Sequence, residues 1–182
     1  SDADRVAEEL KKLVEDSRRE NERVIEESKR LVKENEDRNR ELRDHMVLHE
    51  YVNAAGITKE KDKKTLDDIV REILERLKRL LEKVEDENRK SHEENKRLLE
   101  DVKRKNKRIS DELKRLLEEI ERRNVDVDKV RETVKRLLEE NKRVMEKTEE
   151  VAKKSSEDIK RVADETRRRA EELLKEVDEL RK

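Results

Sequence analysis

The sequence predicts an all-α fold, an elongated antiparallel bundle of three long, straight helices. Three observations carry that expectation. The 182 residues are 57% charged and 30% hydrophobic, with a single aromatic residue and no proline. The sparse apolar residues recur with a period of 18. Only two short breaks interrupt that period. Such charge content ordinarily marks a disordered chain, but a packed helix is distinguished by periodic apolar positions. The richness in Leu, Val, Glu, Lys and Arg fits long helices.

In the first segment Val6, Val24 and Leu42 share one phase, as do Leu13 and Leu31, Ser17 and Asn35, and Asn21 and Asn39. Eighteen residues in five turns give about 3.6 per turn, the pitch of an undistorted helix, whereas a strict heptad would impose a left-handed supercoil. The second segment repeats the pattern with Leu77, Asn95 and Leu113, with Val84, Val102 and Ile120, and with Asn88, Asn106 and Asn124. The third does so with Val130, Thr148 and Thr166, with Leu137, Ser155 and Leu173, and with Val144, Val162 and Leu180.

Capping-box-like runs at Ser1-Asp2-Ala3-Asp4 and Thr65-Leu66-Asp67-Asp68 mark two helix starts. Asp126 is the third candidate N-cap, with Val125 and Val130 placed for a hydrophobic staple, and Asn124 suits the end of the preceding helix. Helices are therefore expected at about 2–56, 66–123 and 127–181, with loops near 57–65 and 124–126. Chain neighbours run antiparallel, and residues 1–182 form a single domain.

Polar residues occupy core phase on every helix. They are Ser17, Asn21, Ser28, Asn35 and Asn39; then Asn88, Ser91, Asn95 and Asn106, with Ser110 and His92 nearby; then Asn141, Thr148, Ser155 and Thr166, with Ser156. Folding at the two loops brings Ser28 to the height of Ser91, Asn95, Ser155 and Ser156. Ser17 and Asn21 meet Asn106, with Asn141 and Thr148 about a turn away, and Asn35 and Asn39 meet Asn88 near Thr166. An unpaired buried amide costs about 1–3 kcal/mol, so matched heights predict hydrogen-bond layers that reject a wrong register. For Ser91, Ser110 and Ser156 a solvent-facing helix edge is an equal alternative.

One segment departs from the pattern. Residues 43–58 are Arg43, Asp44, His45, Met46, Val47, Leu48, His49, Glu50, Tyr51, Val52, Asn53, Ala54, Ala55, Gly56, Ile57 and Thr58, and hold the only Gly and the only Tyr. At period 2, Met46, Leu48, Glu50, Val52 and Ala54 line one face, and His45, Val47, His49, Tyr51 and Asn53 the other. That alternation belongs to a strand. At helical phase only Met46, His49 and Asn53 point inward. A local conflict in so consistent a sequence points to function.

All sixteen residues resemble the engineered tag form of the eleventh strand of green fluorescent protein. The resemblance implies a partner, the truncated fluorescent barrel lacking that strand, which the segment would complete. It implies that Glu50 is the glutamate facing the chromophore, with Leu48 and Val52 beside it in the barrel. The chromophore-forming tripeptide is absent, so the chain would not fluoresce alone. The remainder resembles in style the latch-and-cage switches of de novo design (LOCKR), which add a helical key peptide as a second implied partner. It departs from them in placing the guest at the end of an internal helix.

Removing 43–58 from the first helix would leave Leu66, Ile69, Ile73, Leu74, Leu77, Leu173, Leu174, Val177 and Leu180 facing an open groove. Burying each such side chain is worth roughly 1.5–3 kcal/mol, so a caged helix ending at Gly56 is expected over an exposed tag. The expected function is a caging scaffold or switch component; the alternative is an inert bundle carrying an accessible tag.

Other chemistry finds little support. His45 and His49 sit at i, i+4, a spacing for two zinc ligands, but no third accompanies them. His92 could respond to pH or join a layer. No nucleophile–base set, phosphate loop or paired-carboxylate pocket is present, so neither catalysis nor a cofactor is expected. A net charge of −1 with interleaved signs and no aromatic platform argues against nucleic acid. No apolar run approaches a membrane span, no signal peptide is recognised, and a soluble, synthetic protein expressed in cytoplasm is expected.

Overall fold

A computed structural model describes the backbone of residues 2–57, 63–122 and 128–180. Among these residues the fold is all-α, three long helices packed as a bundle: α1 (Asp2–Ile57), α2 (Lys63–Arg122) and α3 (Asp128–Leu180). Most helical residues are good helix formers, and each helix buries one apolar stripe between charged faces.

The boundaries differ from expectation at one connection. Helix α2 begins at Lys63, so Thr65 does not stand outside it as an N-cap. Gly56, expected just beyond the end of α1, lies in its last turn, since α1 reaches Ile57. Lysine is a strong helix former, and Lys63 and Lys64 carry the helix past the capping signal. The expected caps Ser1, Asn124 and Asp126 lie outside the described residues.

The chain packs as two compact units. The first comprises Ser1–Arg30 and Glu94–Ser155, the second Leu31–Glu93 and Ser156–Lys182. The first unit's apolar cluster joins Leu10 and Val14 of α1, Leu113 of α2, and Val130, Val134 and Leu137 of α3, with Ile109, Leu116, Leu117 and Leu138 at its margin. The second unit's cluster joins Leu42 and Met46 of α1, Leu74, Leu77 and Val84 of α2, and Ala170 and Leu173 of α3, flanked by Leu80, Leu81 and Leu174. Within the first unit, side-chain bonds from Asn21 to Asn106 and from Ser28 to Asn95 run α1 and α2 in opposite directions. Each cluster lies beside polar layers in its own unit, and those layers fix which side chains meet.

Candidate functional site

Every core-phase polar residue chosen for a layer is buried: Ser17, Asn21, Ser28, Asn35, Asn39, Asn88, Ser91, Asn95, Asn106, Asn141, Thr148, Ser155 and Thr166. Ser110, Ser156 and His92 are half-buried at helix edges.

In the first unit, Asn21 and Asn106 exchange reciprocal amide bonds, each Nδ2 donating to the other's Oδ1 at 2.9 Å. Asn21 Nδ2 also donates to the Ser17 carbonyl at 2.7 Å. Ser17 Oγ donates to Asn141 Oδ1 of α3 at 3.0 Å, so all three helices share this layer. Asn141 Nδ2 reaches the Met145 sulfur at 3.4 Å. Ser28 Oγ donates to Asn95 Oδ1, and Asn95 Nδ2 donates to the Ala152 carbonyl at 2.9 Å, again joining three helices.

The second unit repeats the amide pair. Asn39 Nδ2 donates to Asn88 Oδ1 at 2.8 Å and Asn88 Nδ2 returns to Asn39 Oδ1 at 3.1 Å. Asn39 also donates to the Asn35 carbonyl. Asn35 Nδ2 donates to the Ile159 carbonyl at 3.3 Å, and Asn35 Oδ1 has no hydrogen-bond partner among the described residues.

Some placements differ from expectation. Thr148 and Thr166 turn their hydroxyls to the carbonyls of Val144 and Val162, four residues back on their own helix. A threonine hydroxyl satisfies itself this way without a cross-helix partner. Ser17 meets Asn141 directly, and Asn35 meets Ile159 where Thr166 was the expected neighbour. Ser91 Oγ is held by the Arg38 guanidinium at 3.2 and 3.4 Å, and Arg38 Nε pairs with Glu87 at 3.0 Å.

Sequence reasoning passed over that arginine and its counterpart. In the first unit Glu20 of α1 accepts Arg23 of its own helix at 2.7 Å and Lys105 of α2 at 3.0 Å. These two hydrogen bonds, from Arg23 first and then Lys105, pull the Glu20 carboxyl down to about 2, and Glu20 in turn raises the Arg23 guanidinium. The signal was available: Glu20, Lys105, Arg38 and Glu87 each stand one residue before an asparagine of a reciprocal pair. Charges there lie at the rim of a buried amide and can cross to the facing helix.

His92 lines a groove of about 450 Å³ in the second unit with Asn88, Arg89, Ile159, Ala163 and Asp164. Among the described residues no three His, Cys, Asp or Glu side chains converge as metal ligands.

Of the segment 43–58, the backbone of residues 43–57 is helical as part of α1. Met46 is 0% exposed and belongs to the second unit's apolar cluster. Asp44 and His45 are exposed and Arg43 is half-buried. The side chains of Val47, Leu48, His49, Glu50, Tyr51, Val52, Asn53, Ala54, Ala55, Gly56 and Ile57, and the whole of Thr58, lie outside the described residues.

The fold thus defines a three-helix bundle. No protein family matches the sequence, and no curated protein does. Among solved structures the chain is similar to a computationally designed three helix bundle. The two share 18% identity, with 97% of this chain and 82% of that one covered and a TM-score of 0.34. Among the described residues no helix is long and apolar enough to cross a membrane.

Proposed function

We propose that the chain is a de novo designed caging scaffold. In this reading it holds residues 43–58, the eleventh strand of a split green fluorescent protein, as helix and releases them to the truncated barrel. The observation that carries the reading is the helical backbone of a strand-patterned segment, with Met46 fully buried against Leu42, Leu74 and Leu173. Tertiary burial overrides local preference in such a segment. The charged faces and polar layers serve the scaffold, and no catalytic role is assigned to any residue.

Pairing with the barrel requires an extended strand at about 3.3 Å per residue in place of 1.5 Å, a lengthening of roughly 25–30 Å over the segment. The segment has chain on both sides, the rest of α1 before it and α2 from Lys63 onward beyond it, so it cannot leave as a free end. It must unwind and expose the apolar cluster that Met46 packs into. An open form costing about 4 kcal/mol is populated near 0.1%, and complementation slows by about that factor. The test measures fluorescence recovery at fixed barrel concentration for the parent, Leu174→Ala and the free strand peptide. Leu174 packs against the second unit's cluster and lies outside the strand. The expected order of rates is free peptide, then Leu174→Ala, then parent. Equal rates for all three would leave an inert bundle with an accessible tag.

A further inference from the structure

The two amide pairs lie 18 residues apart on α1 and again on α2, so their layers are copies in the repeat. On α3 the copy fails. Ser17 faces Asn141, whereas Asn35, its equivalent, faces Ile159, the residue 18 places beyond Asn141. Asn141 presents a side-chain amide to its layer; Ile159 offers only a main-chain carbonyl, and a carbonyl cannot donate. Asn35 is 0% exposed, and its Oδ1 is left without a partner among the described residues. Two arginines, Arg43 and Arg131, each bury an Nε without a partner. They stand one in each unit and so do not distinguish the two.

We propose that the Asn35–Asn39–Asn88 layer, which leaves Asn35 Oδ1 buried beside Ile159 without a partner among the described residues, is a built-in weak point at which the second unit loosens while the first stays closed. The layers of both units reach all three helices, the first unit's through Asn141 and the Ala152 carbonyl and the second's through the Ile159 carbonyl, but among the described residues only the second leaves a layer atom buried without a partner. The second unit's layer carries an uncompensated acceptor in its centre, a defect that costs nothing once the unit opens and the amide meets water. Opening is therefore favoured where the layer is incomplete. This requires no barrel, and it stands or falls separately from the caging of residues 43–58.

The test is native-state hydrogen exchange on the full chain, comparing amides of residues 35–42, 84–91 and 156–163 with those of 17–24, 102–109 and 138–145. The second unit's set is expected to exchange faster. Asn35→Leu removes the stranded acceptor and leaves the Asn35 main-chain carbonyl in place for Asn39. It is expected to slow exchange around that layer about tenfold, the effect of relieving one buried unsatisfied group, with the first unit unchanged. Ile159→Asn is expected to do the same by the opposite route, supplying the donor. Slowing in either variant, confined to the second unit, supports the proposal. Equal exchange of the two sets in the parent, or unchanged or faster exchange around the layer in both variants, overturns it.

Discussion

An asparagine inside a helical core asks for four hydrogen bonds where its neighbours ask for none. The reciprocal pair of Asn21 and Asn106 shows how the demand is met, each amide serving as donor and acceptor to the other. Removing one partner strands the other. Asn106→Leu is expected to lower unfolding free energy by about 1–3 kcal/mol, and the double variant Asn21→Leu, Asn106→Leu to recover most of that loss. Chemical denaturation of the set measures the coupling. Glu20 supplies a second case. Its carboxyl is held at about 2 against an ordinary 4.5 by Arg23 and Lys105. A depressed acid stabilises the fold fully above its unfolded value and loses that contribution as pH falls. The loss therefore runs from about 4.5 down to about 2. Because the site is partly in water, the effect is worth a few tenths to about 1 kcal/mol. Unfolding curves for the parent and Glu20→Gln are expected to converge as pH drops through that window.

At the scale of the helix, residues 43–57 set strand alternation against helical burial, and the backbone is helical. Met46 is the anchor, since it alone of the segment's described side chains is fully buried. Met46→Asp places a carboxylate in the apolar cluster, and a loss of roughly 3–5 kcal/mol is expected. Thermal unfolding followed by circular dichroism reads it as a large fall in Tm. The helices were legible because burial follows the 18-residue apolar phase, as at Val24 and Leu42 or Leu113 and Leu77. The start of α2 was less so: capping residues compete with strong helix formers, and Lys63 precedes the cap signal. Heights of the asparagine pairs could be counted from the loops, whereas the acceptors at Ala152 and Ile159 could not. A main-chain carbonyl has no signature in sequence, because every residue carries one.

For the molecule as a whole, the polar layers bear on uniqueness more than on stability. Replacing Ser28, Asn95 and Ser155 together by Leu is expected to preserve or raise Tm, because buried polar groups gain little over well-packed apolar ones. The same variant is expected to populate mixed oligomers, seen by light scattering, since one layer fewer then penalises a misaligned helix. A less stable variant that remains strictly monomeric would contradict this account.

The rim charges carry that logic further. The two reciprocal asparagine pairs stand one 18-residue repeat apart, so a slide of one repeat, about 27 Å along a helix, sets a member of one pair opposite a member of the other. Such a slide would bring Asn39 opposite Asn106, or Asn21 opposite Asn88, and rebuild an amide pair intact. The flanking ions are not repeated but inverted. The acid is on α1 at Glu20 with its base at Lys105, whereas the base is on α1 at Arg38 with its acid at Glu87. After the slide Glu20 would confront Glu87, or Arg38 would confront Lys105, like against like. The two ion pairs thus work as a parity bit on a periodic ruler: each copy of the mark reads the same, and its sign says which copy it is.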